Sequence, residues 1–309
     1  MGKIGDLEVS GLNLGGNVFG WTADAAESFA VLDAYTGAGG NFVDTADVYM
    51  ARAEGNSGGE SETIIGNWLS ARGNRDDIVI ATKVGAWAAR PGLSAANIKA
   101  AAEDSLRRLR TDHIDLYYAH RDDGDTPLEE TLTAFDSLVR EGKVRHIGAS
   151  NHSADRLGEA LAISEREGLA KYVALQPHYN LMERDYEREL APLVREEGLA
   201  CLPYYALAKG FLTGKYRSVA HGGDSPRSQG ALSYLDKTGE AVLSVLDDVA
   251  SAHSTSVTAV SLAWLAAQPT VTAPIASARD TTQLADLLAA VELRLSPDEL
   301  DRIGSPTSQ

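Results

Sequence analysis

Eight short apolar runs alternate with segments of helical period along the chain, and this alternation limits the folds open to it. The runs cover residues 11–16, 41–46, 77–85, 113–120, 143–150, 171–180, 199–207 and 270–278. Strands that alternate with helices predict βα units around a parallel sheet. The runs are apolar on both faces, as strands covered by helices must be. Eight such units predict an α/β fold of the closed (β/α)8 TIM barrel type.

The segments between these runs contain residues that commonly begin and end helices. We expect helices to begin near Ser61, Ser94 and Pro127, because serine caps helix N-termini and proline suits the first turn. Two of these helices are expected to end near Gly73 and Gly142, since glycine tolerates the left-handed backbone found there.

Residues 1–309 are interpreted as a single barrel domain with a short β-hairpin at its N-terminus. No linker, low-complexity tract or change in composition divides the chain. Residues 208–236 form one unusually long connection in an otherwise economical repeat, and connections of that length usually serve function.

The charge of the chain narrows the range of partners. The sequence has 28 Lys and Arg residues against 44 Asp and Glu residues, a formal charge of −16. This charge opposes binding to nucleic acid or to an anionic membrane, so local cations must meet any anionic ligand. No segment approaches the roughly 20 apolar residues of a membrane span, and residues 1–11 lack the apolar core of a signal peptide. We therefore expect a soluble, cytoplasmic protein.

Histidine and cysteine residues give no indication of a metal site. His113, His146 and His178 lie in or beside the predicted strands without the clustered ligands that a metal needs. The one cysteine, Cys201, lies within an apolar run and is expected to be a small core residue. No metal is expected.

Polar side chains lie at or just after the ends of three consecutive predicted strands, where the active sites of such barrels are found. They are Asp44 and Tyr49 in and after the run 41–46, Lys83 in the run 77–85 and His120 in the run 113–120. Taken alone, Asp44 could cap a turn and Tyr49 could lie on the surface. A buried lysine without a partner is costly, however, and Asp44 on the neighbouring strand would neutralise Lys83.

These four side chains suit acid-base chemistry. A tyrosine with its usual pKa of about 10 is a poor proton donor at neutral pH, and a nearby ammonium such as that of Lys83 is expected to lower the pKa. His120 is expected to hydrogen-bond a substrate carbonyl or to share a proton with Tyr49.

The motifs DTADVY, ATKVG and LYYAH occur in this order, and the chain resembles the aldo-keto reductase family, including members related to potassium-channel β subunits. The resemblance implies that Asp44, Tyr49, Lys83 and His120 form the catalytic tetrad. It also implies an NADPH or NADP⁺ cofactor bound across the barrel mouth without a Rossmann fold, and no G-x-G-x-x-G is present.

The resemblance also implies which residues hold the cofactor. In the motifs GASN, ALQPHYN and PYYALAKG, it places Ser150, Asn151 and Gln176 at the nicotinamide carboxamide and Tyr204 against the nicotinamide ring. Without the resemblance, Ser150 and Asn151 would be interpreted as ordinary turn formers.

Two further segments resemble the phosphate-binding parts of the family. Residues 210–216 (GFLTGKY) mimic a P-loop, but Lys209 stands where its first glycine is needed and Tyr216 replaces its Ser or Thr, which argues against a nucleoside triphosphatase. The segment instead resembles the stretch over the pyrophosphate, and the segment after the last strand resembles the site of the adenosine 2′-phosphate. The residues implied are Leu207, Gly210, Leu212 and Lys215 for the pyrophosphate, and Ser277, Arg279 and Gln283 for the 2′-phosphate.

The function implied is NADPH-dependent reduction of aldehydes or ketones, with a small-molecule carbonyl compound as the partner and Tyr49 as the general acid. Phe19, Trp21 and Trp87 either line the substrate mouth or serve as packing residues. Two alternatives remain open: a nucleotide-sugar reductase of specialised metabolism, and a cofactor-sensing regulatory subunit. The sequence does not indicate the physiological substrate or the oligomeric state.

Overall fold

The computed structural model of this protein describes residues 1–218 and 228–307, and in that part of the chain ten strands are present. Most are short. They are β1 (Gly2–Ile4), β2 (Leu7–Val9), β3 (Asn13–Gly15), β4 (Phe42–Asp44), β5 (Val79–Val84), β6 (Ile114–Ala119), β7 (Val144–Ser150), β8 (Tyr172–Gln176), β9 (Ala200–Cys201) and β10 (Ile275–Ala276).

Helices follow the strands in the same alternation that the sequence predicts. The α-helices of the described residues are α1 (Ala25–Gly37), α2 (Glu60–Arg72), α3 (Ala95–Leu109), α4 (Leu128–Arg140), α5 (Ala154–Glu167), α6 (Leu190–Glu196), α7 (Ser228–Leu232), α8 (Lys237–Ala252), α9 (Val257–Ala266), α10 (Thr281–Glu292) and α11 (Pro297–Gly304). A 3-10 helix covers Ala208–Thr213.

Strands β3 to β10 form one parallel sheet that curls into a barrel, which confirms the predicted fold class. The order in the sheet is β10-β3-β4-β5-β6-β7-β8-β9. The two outer members of this order are joined by hydrogen bonds from Thr272 N–H to the Cys201 carbonyl (2.8 Å) and from Ile275 N–H to the Pro203 carbonyl (2.9 Å). These bonds close the ring.

The predicted N-terminal hairpin is also confirmed, and it closes one end of the barrel. Strands β1 and β2 pair in an antiparallel arrangement. Their buried side chains Ile4, Leu7 and Val9 join an inner apolar cluster with side chains from the barrel strands, such as Phe42 and Leu116. A second and larger cluster packs the outer faces of the strands against the helices. The open end of the barrel is therefore the end where the parallel strands terminate.

The helix boundaries agree with the sequence in most places. Ser94 caps α3 through its side chain, Pro127 precedes α4, and Gly73 ends α2 in a left-handed conformation. Ser61 is the exception, because α2 already begins at Glu60. Its hydroxyl instead donates to the Gly16 carbonyl at 2.8 Å, so Ser61 ties the helix to the segment after β3.

The long connection over residues 208–236 contains more regular structure than its composition indicates. It holds the 3-10 helix and α7, and α8 starts directly after it. Residues 219–227 of this connection lie outside the described residues.

A glycine permits the close packing of α2 on the end of α3. A Cβ atom on Gly66 would overlap the Arg108 carbonyl oxygen and the backbone of Leu109. Gly158 also lies inside a helix, α5, but a Cβ atom there would meet no atom within 4 Å.

We predict that Gly66→Ala lowers the free energy of unfolding by about 1–3 kcal/mol or more, because the added methyl group forces the helices apart. The matched variant Gly158→Ala should raise it by about 0.5–1 kcal/mol, since alanine favours a helix interior. Urea denaturation of both variants measures the difference. Equal effects at the two positions would contradict the close packing at Gly66.

Candidate active site

The period of the strands places the polar side chains inside the barrel. Successive side chains of a strand point to opposite faces, so alternate residues share one face. Phe42 belongs to the inner cluster and Asp44 follows it by two residues, while Lys83 follows the inner residue Ala81 in the same way. His120 comes two residues after Tyr118. All three therefore face the interior at the open end.

The ammonium group of Lys83 is fully buried and has three acceptors. Its Nζ donates to Asp44 Oδ2 (2.6 Å), to the Tyr49 phenol oxygen (2.6 Å) and to the Thr45 backbone carbonyl (2.8 Å). The Lys83 and Asp44 side chains are 0% and 1% exposed. Because all three ammonium protons find an acceptor, the cation can remain in the barrel.

Asp44 connects the other side chains of the site. Its Oδ2 also accepts a hydrogen bond from the Tyr49 hydroxyl at 2.9 Å, and its Oδ1 accepts one from Gln176 Nε2 at 2.8 Å. Asp44, Tyr49, Lys83 and Gln176 thus form one continuous hydrogen-bonded network. In this structure the Gln176 amide is directed at the carboxylate.

The expectation that Lys83 lowers the pKa of Tyr49 is wrong for this structure. Burial, reinforced by the charge of Asp44 and by the hydrogen bond to it, raises the pKa of Tyr49 well above 10. Desolvation is the largest cause, and the nearby carboxylate of Asp44 further disfavours a phenolate. Burial also lowers the pKa of Lys83, against the opposing effect of Asp44. Tyr49 therefore keeps its proton at neutral pH, and its donation requires a neighbouring group that stabilises the phenolate.

His120 lies beside Tyr49 as a neutral ring. The two ring centroids are 6.2 Å apart in an edge-to-face arrangement. Burial, together with the charge of Lys83, holds the pKa of His120 well below its usual 6.5. Its Nδ1 atom is buried and has no hydrogen-bond partner among the described residues. A neutral imidazole can donate from one nitrogen only, so the ring suits a single hydrogen bond to a ligand.

Most residues implied in nicotinamide binding lie together at the ends of β7, β8 and β9. Ser150 donates to the Gln176 carbonyl at 2.8 Å, and Asn151 Nδ2 donates to the His120 carbonyl at 2.9 Å. The Tyr204 hydroxyl donates to Asn151 Oδ1 at 2.7 Å. Asn151 has a positive φ of 54°, which turns its side chain toward these partners.

Tyr204 is held on one face by a second ring. His178 stacks on it with a centroid distance of 5.2 Å and an interplanar angle of 12°. A tyrosine fixed both by its hydroxyl and by this stacking can present a defined aromatic surface.

The segment predicted to lie over the pyrophosphate has left-handed turns at Lys209 and Gly210. The amides of Gly210 and Leu212 both donate to the Leu207 carbonyl, at 2.8 and 3.2 Å. These two N–H groups are therefore bonded within the segment in this structure. Lys215 is exposed, and its ammonium lies 4.8 Å from the centre of a neighbouring tyrosine ring.

The residues predicted to read the 2′-phosphate surround the start of α10. Arg279 is exposed and precedes the helix cap Asp280, and Gln283 in the first turn accepts a hydrogen bond from the Arg279 amide at 3.2 Å. Ser277 donates to Asn17 Oδ1 at 2.7 Å. An exposed guanidinium next to a helix N-terminus is a favourable environment for an anion.

The aromatic residues predicted near the substrate differ in exposure. Phe19 is completely buried in the outer cluster, which favours the packing interpretation for this residue. Trp21 and Trp87 are partly exposed. The guanidinium of Arg90 lies over the Trp87 ring, with its central carbon 5.6 Å from the ring centroid.

Two contacts of the site could not be anticipated from residue types. The Thr45 carbonyl bonds Lys83, and a backbone atom leaves no trace in a sequence pattern. The link from Gln176 to Asp44 joins residues 132 positions apart, and the position of Gln176 at a strand end was the only indication of it.

The comparisons with known proteins agree with this geometry. Residues 11–306 match the model of the aldo/keto reductase family. The chain is 36% identical to the uncharacterized oxidoreductase YrpG of Bacillus subtilis, covering 97% of this chain and 92% of that protein. It is 32% identical to protein tas of Escherichia coli, covering 96% and 94%. It is also 32% identical to the aryl-alcohol dehydrogenase [NADP(+)] of Phanerodontia chrysosporium, covering 95% and 81%.

The chain belongs to the aldo/keto reductase family and is an oxidoreductase. Within residues 1–218 and 228–307, no three or more His, Cys, Asp or Glu residues are grouped to hold a metal ion. In the same residues, no helix is long and apolar enough to cross a membrane.

We predict that Lys83→Met lowers the free energy of unfolding by about 3–5 kcal/mol, because it leaves the buried Asp44 carboxylate without its cation. Urea denaturation measures the loss. The double variant Asp44→Asn/Lys83→Met should be more stable than Lys83→Met, since the unpaired charge is gone. The single variant Asp44→Asn completes the cycle. If the double variant loses as much unfolding free energy as the two single variants together, the pair is not coupled.

Proposed function

We propose that this protein reduces aldehydes or ketones to alcohols with NADPH, and that Tyr49 is the general acid. The observation that carries this proposal is the contact of the Tyr49 hydroxyl with both Lys83 (2.6 Å) and Asp44 (2.9 Å) at the open end of the barrel. A protonated phenol that touches a buried ammonium can give up its proton as negative charge develops on a nearby oxygen.

Side chains of this protein supply the proton that the reduction requires. Tyr49 protonates the carbonyl oxygen, and Lys83 stabilises the phenolate that results, because its ammonium already contacts the phenol oxygen. Asp44 keeps Lys83 in place. NADPH, when bound, supplies the hydride that reaches the carbonyl carbon.

His120 orients the carbonyl group in this proposal. Its ring is neutral at neutral pH and lies beside Tyr49, so one ring N–H can donate to the substrate oxygen. A charged His120 would add a second cation next to Lys83 in a buried site. The low pKa of His120 prevents this, because the ring stays neutral.

The side chains at the rim fit a dinucleotide in chemical type. Ser150 and Asn151 offer hydroxyl and amide groups of the kind that bind a carboxamide, and Tyr204 offers an aromatic face. Lys215 and Arg279 are exposed cations that follow the neighbouring strands β9 and β10, in a chain of charge −16. They would hold the phosphates. The relative from Phanerodontia chrysosporium, whose name includes NADP(+), supports the choice of NADPH and suggests aryl carbonyl compounds as a first substrate panel.

The alternatives from the sequence are separated by turnover. A cofactor sensor would hold NADPH with negligible turnover, whereas a reductase consumes NADPH with aldehydes, ketones or keto sugars. Cytoplasmic location stays a prediction.

We predict that Tyr49→Phe lowers kcat for carbonyl reduction by about 10²–10⁴-fold, because the proton donor is lost. NADPH affinity should stay within a few-fold of wild type. NADPH oxidation and fluorescence titration measure the two effects. Tyr172→Phe serves as the control, since Tyr172 lies in the outer cluster against Phe135. Near wild-type turnover of folded Tyr49→Phe would refute the assignment.

We predict that Arg279→Ala weakens NADPH binding by about 10- to 150-fold, the range expected from roughly 1.5–3 kcal/mol for hydrogen bonds to a charged group. NADH lacks the 2′-phosphate, so its affinity should barely change. Titration of both cofactors decides the matter, with Arg294→Ala beyond the other end of α10 as the matched exposed arginine. Equal losses for the two cofactors would show that Arg279 does not read the 2′-phosphate.

A further inference from the structure

Asp47 is a buried carboxyl group that the proposed reaction does not use. It lies between Asp44 and Tyr49 in the sequence and is 1% exposed. Both carboxyl oxygens are buried, and neither has a hydrogen-bond partner among the described residues. A buried charge in such a position is costly, since nothing replaces the water it has lost.

The charged neighbours of Asp47 already have other partners. Glu62 on α2 accepts hydrogen bonds from Thr82 (2.5 Å) and from Arg108 on α3 (2.6 Å). Arg90, after β5, pairs with Asp104 at 2.7 Å. Arg108 is thus matched by Glu62, whereas Arg90 shares Asp104 with Arg107, and its buried Nη2 has no hydrogen-bond partner among the described residues. Neither arginine forms a hydrogen bond with Asp47.

Charged side chains from α2, α3, β5 and the segment after β5 act on the carboxyl group of Asp47. Glu62 opposes its ionisation, whereas Arg108, Arg90 and Lys83 favour ionisation. The hydroxyl of Tyr117 on β6 is buried close by, and it also lacks a hydrogen-bond partner among the described residues.

Desolvation dominates this balance. Burial, with the charge of Glu62, raises the pKa of Asp47 to about 7. The side chain is therefore largely uncharged below neutral pH and becomes charged above it.

The backbone of Asp47 ties the segment after β4 to β5. The Thr45 amide donates to the Ala81 carbonyl at 2.8 Å, and the Asp47 amide donates to the Lys83 carbonyl at 3.4 Å. The Tyr49 amide donates back to the Ala46 carbonyl. A displacement of Asp47 toward water would therefore also move Tyr49 relative to Lys83.

We propose that Asp47 is a positioning residue for Tyr49: as an uncharged acid its side chain stays buried, and the backbone bonds to β5 then keep residues 44–49 in place. Ionisation draws the side chain toward water and loosens this segment, so the proton donor loses its alignment as the pH rises. The consequence for activity rests on the proposed function, whereas the consequences for stability and for the mobility of the segment do not.

The first experiment compares urea unfolding of wild type and Asp47→Asn between pH 5 and pH 8. The stabilising contribution of an acid with a raised pKa is present below the unfolded pKa of 3.8 and is lost as the pH rises through about 7. The unfolding equilibrium constant of wild type, relative to Asp47→Asn, should therefore increase about 100-fold over this range. Asp286→Asn, at an exposed position on α10, should follow wild type. A constant difference between wild type and Asp47→Asn would overturn the proposal.

The second experiment measures amide hydrogen exchange of residues 44–49 at pH 6 and pH 8.5, corrected for the intrinsic rates. For a pKa near 7 in the closed segment and 3.8 in the open one, ionisation favours opening only up to about pH 7, so wild type should lose about 10-fold of its protection between pH 6 and pH 8.5. Asp47→Asn should keep its protection. Equal behaviour of the two proteins would show that Asp47 does not hold this segment.

The third experiment records the pH profile of kcat for carbonyl reduction. Wild type should lose activity above pH 7, Asp47→Asn should not, and Asp47→Ala should be impaired at every pH because it cannot fill the site. Identical profiles for wild type and Asp47→Asn would remove the positioning role. Absence of turnover in wild type at all pH values would count against the proposed function, while the first two experiments would still decide the role of Asp47.

Discussion

The buried ion pair between Lys83 and Asp44 is the interaction on which the whole site depends. A lysine with no exposed surface requires an acceptor for each proton, and all three acceptors here come from residues 44–49. The end of β4 and the segment that follows it therefore fold around the ammonium group of Lys83 on β5. The tyrosine hydroxyl is one of the three acceptors, so the condition that permits the cation to be buried also places the phenol at the mouth of the barrel.

The strand pattern predicted the fold and much of the site because both rest on local rules. Strand period and the location of active sites at strand ends are readable from short stretches, and they sufficed to bring Asp44, Lys83 and His120 to one face. The direction of the Tyr49 pKa shift was not readable in this way. It depends on the depth of burial and on the carboxylate of Asp44 that accepts the phenol hydrogen bond, which are properties of the assembled barrel.

The same distinction explains the smaller differences. Ser61 has the side chain of a helix cap, but a partner from the segment after β3 uses its hydroxyl instead. Phe19 follows a strand as a mouth residue would, and it packs into the core. In each case the competing partner is distant in sequence or is a backbone atom.

The closure of the barrel has a consequence for how this chain is made. Strand β3, near the N-terminus, finds one of its two neighbours in β10, where Ile275 pairs with Asn13. During synthesis β3 can pair with β4 early, but its other edge stays without a partner until β10 has also left the ribosome, since the paired residues Asn13 and Ile275 are 262 positions apart (275 − 13). An unpaired parallel edge is a template for association with other chains, and pairing between such distant segments is slow. The newly made chain is thus most exposed to aggregation in the interval before β10 emerges.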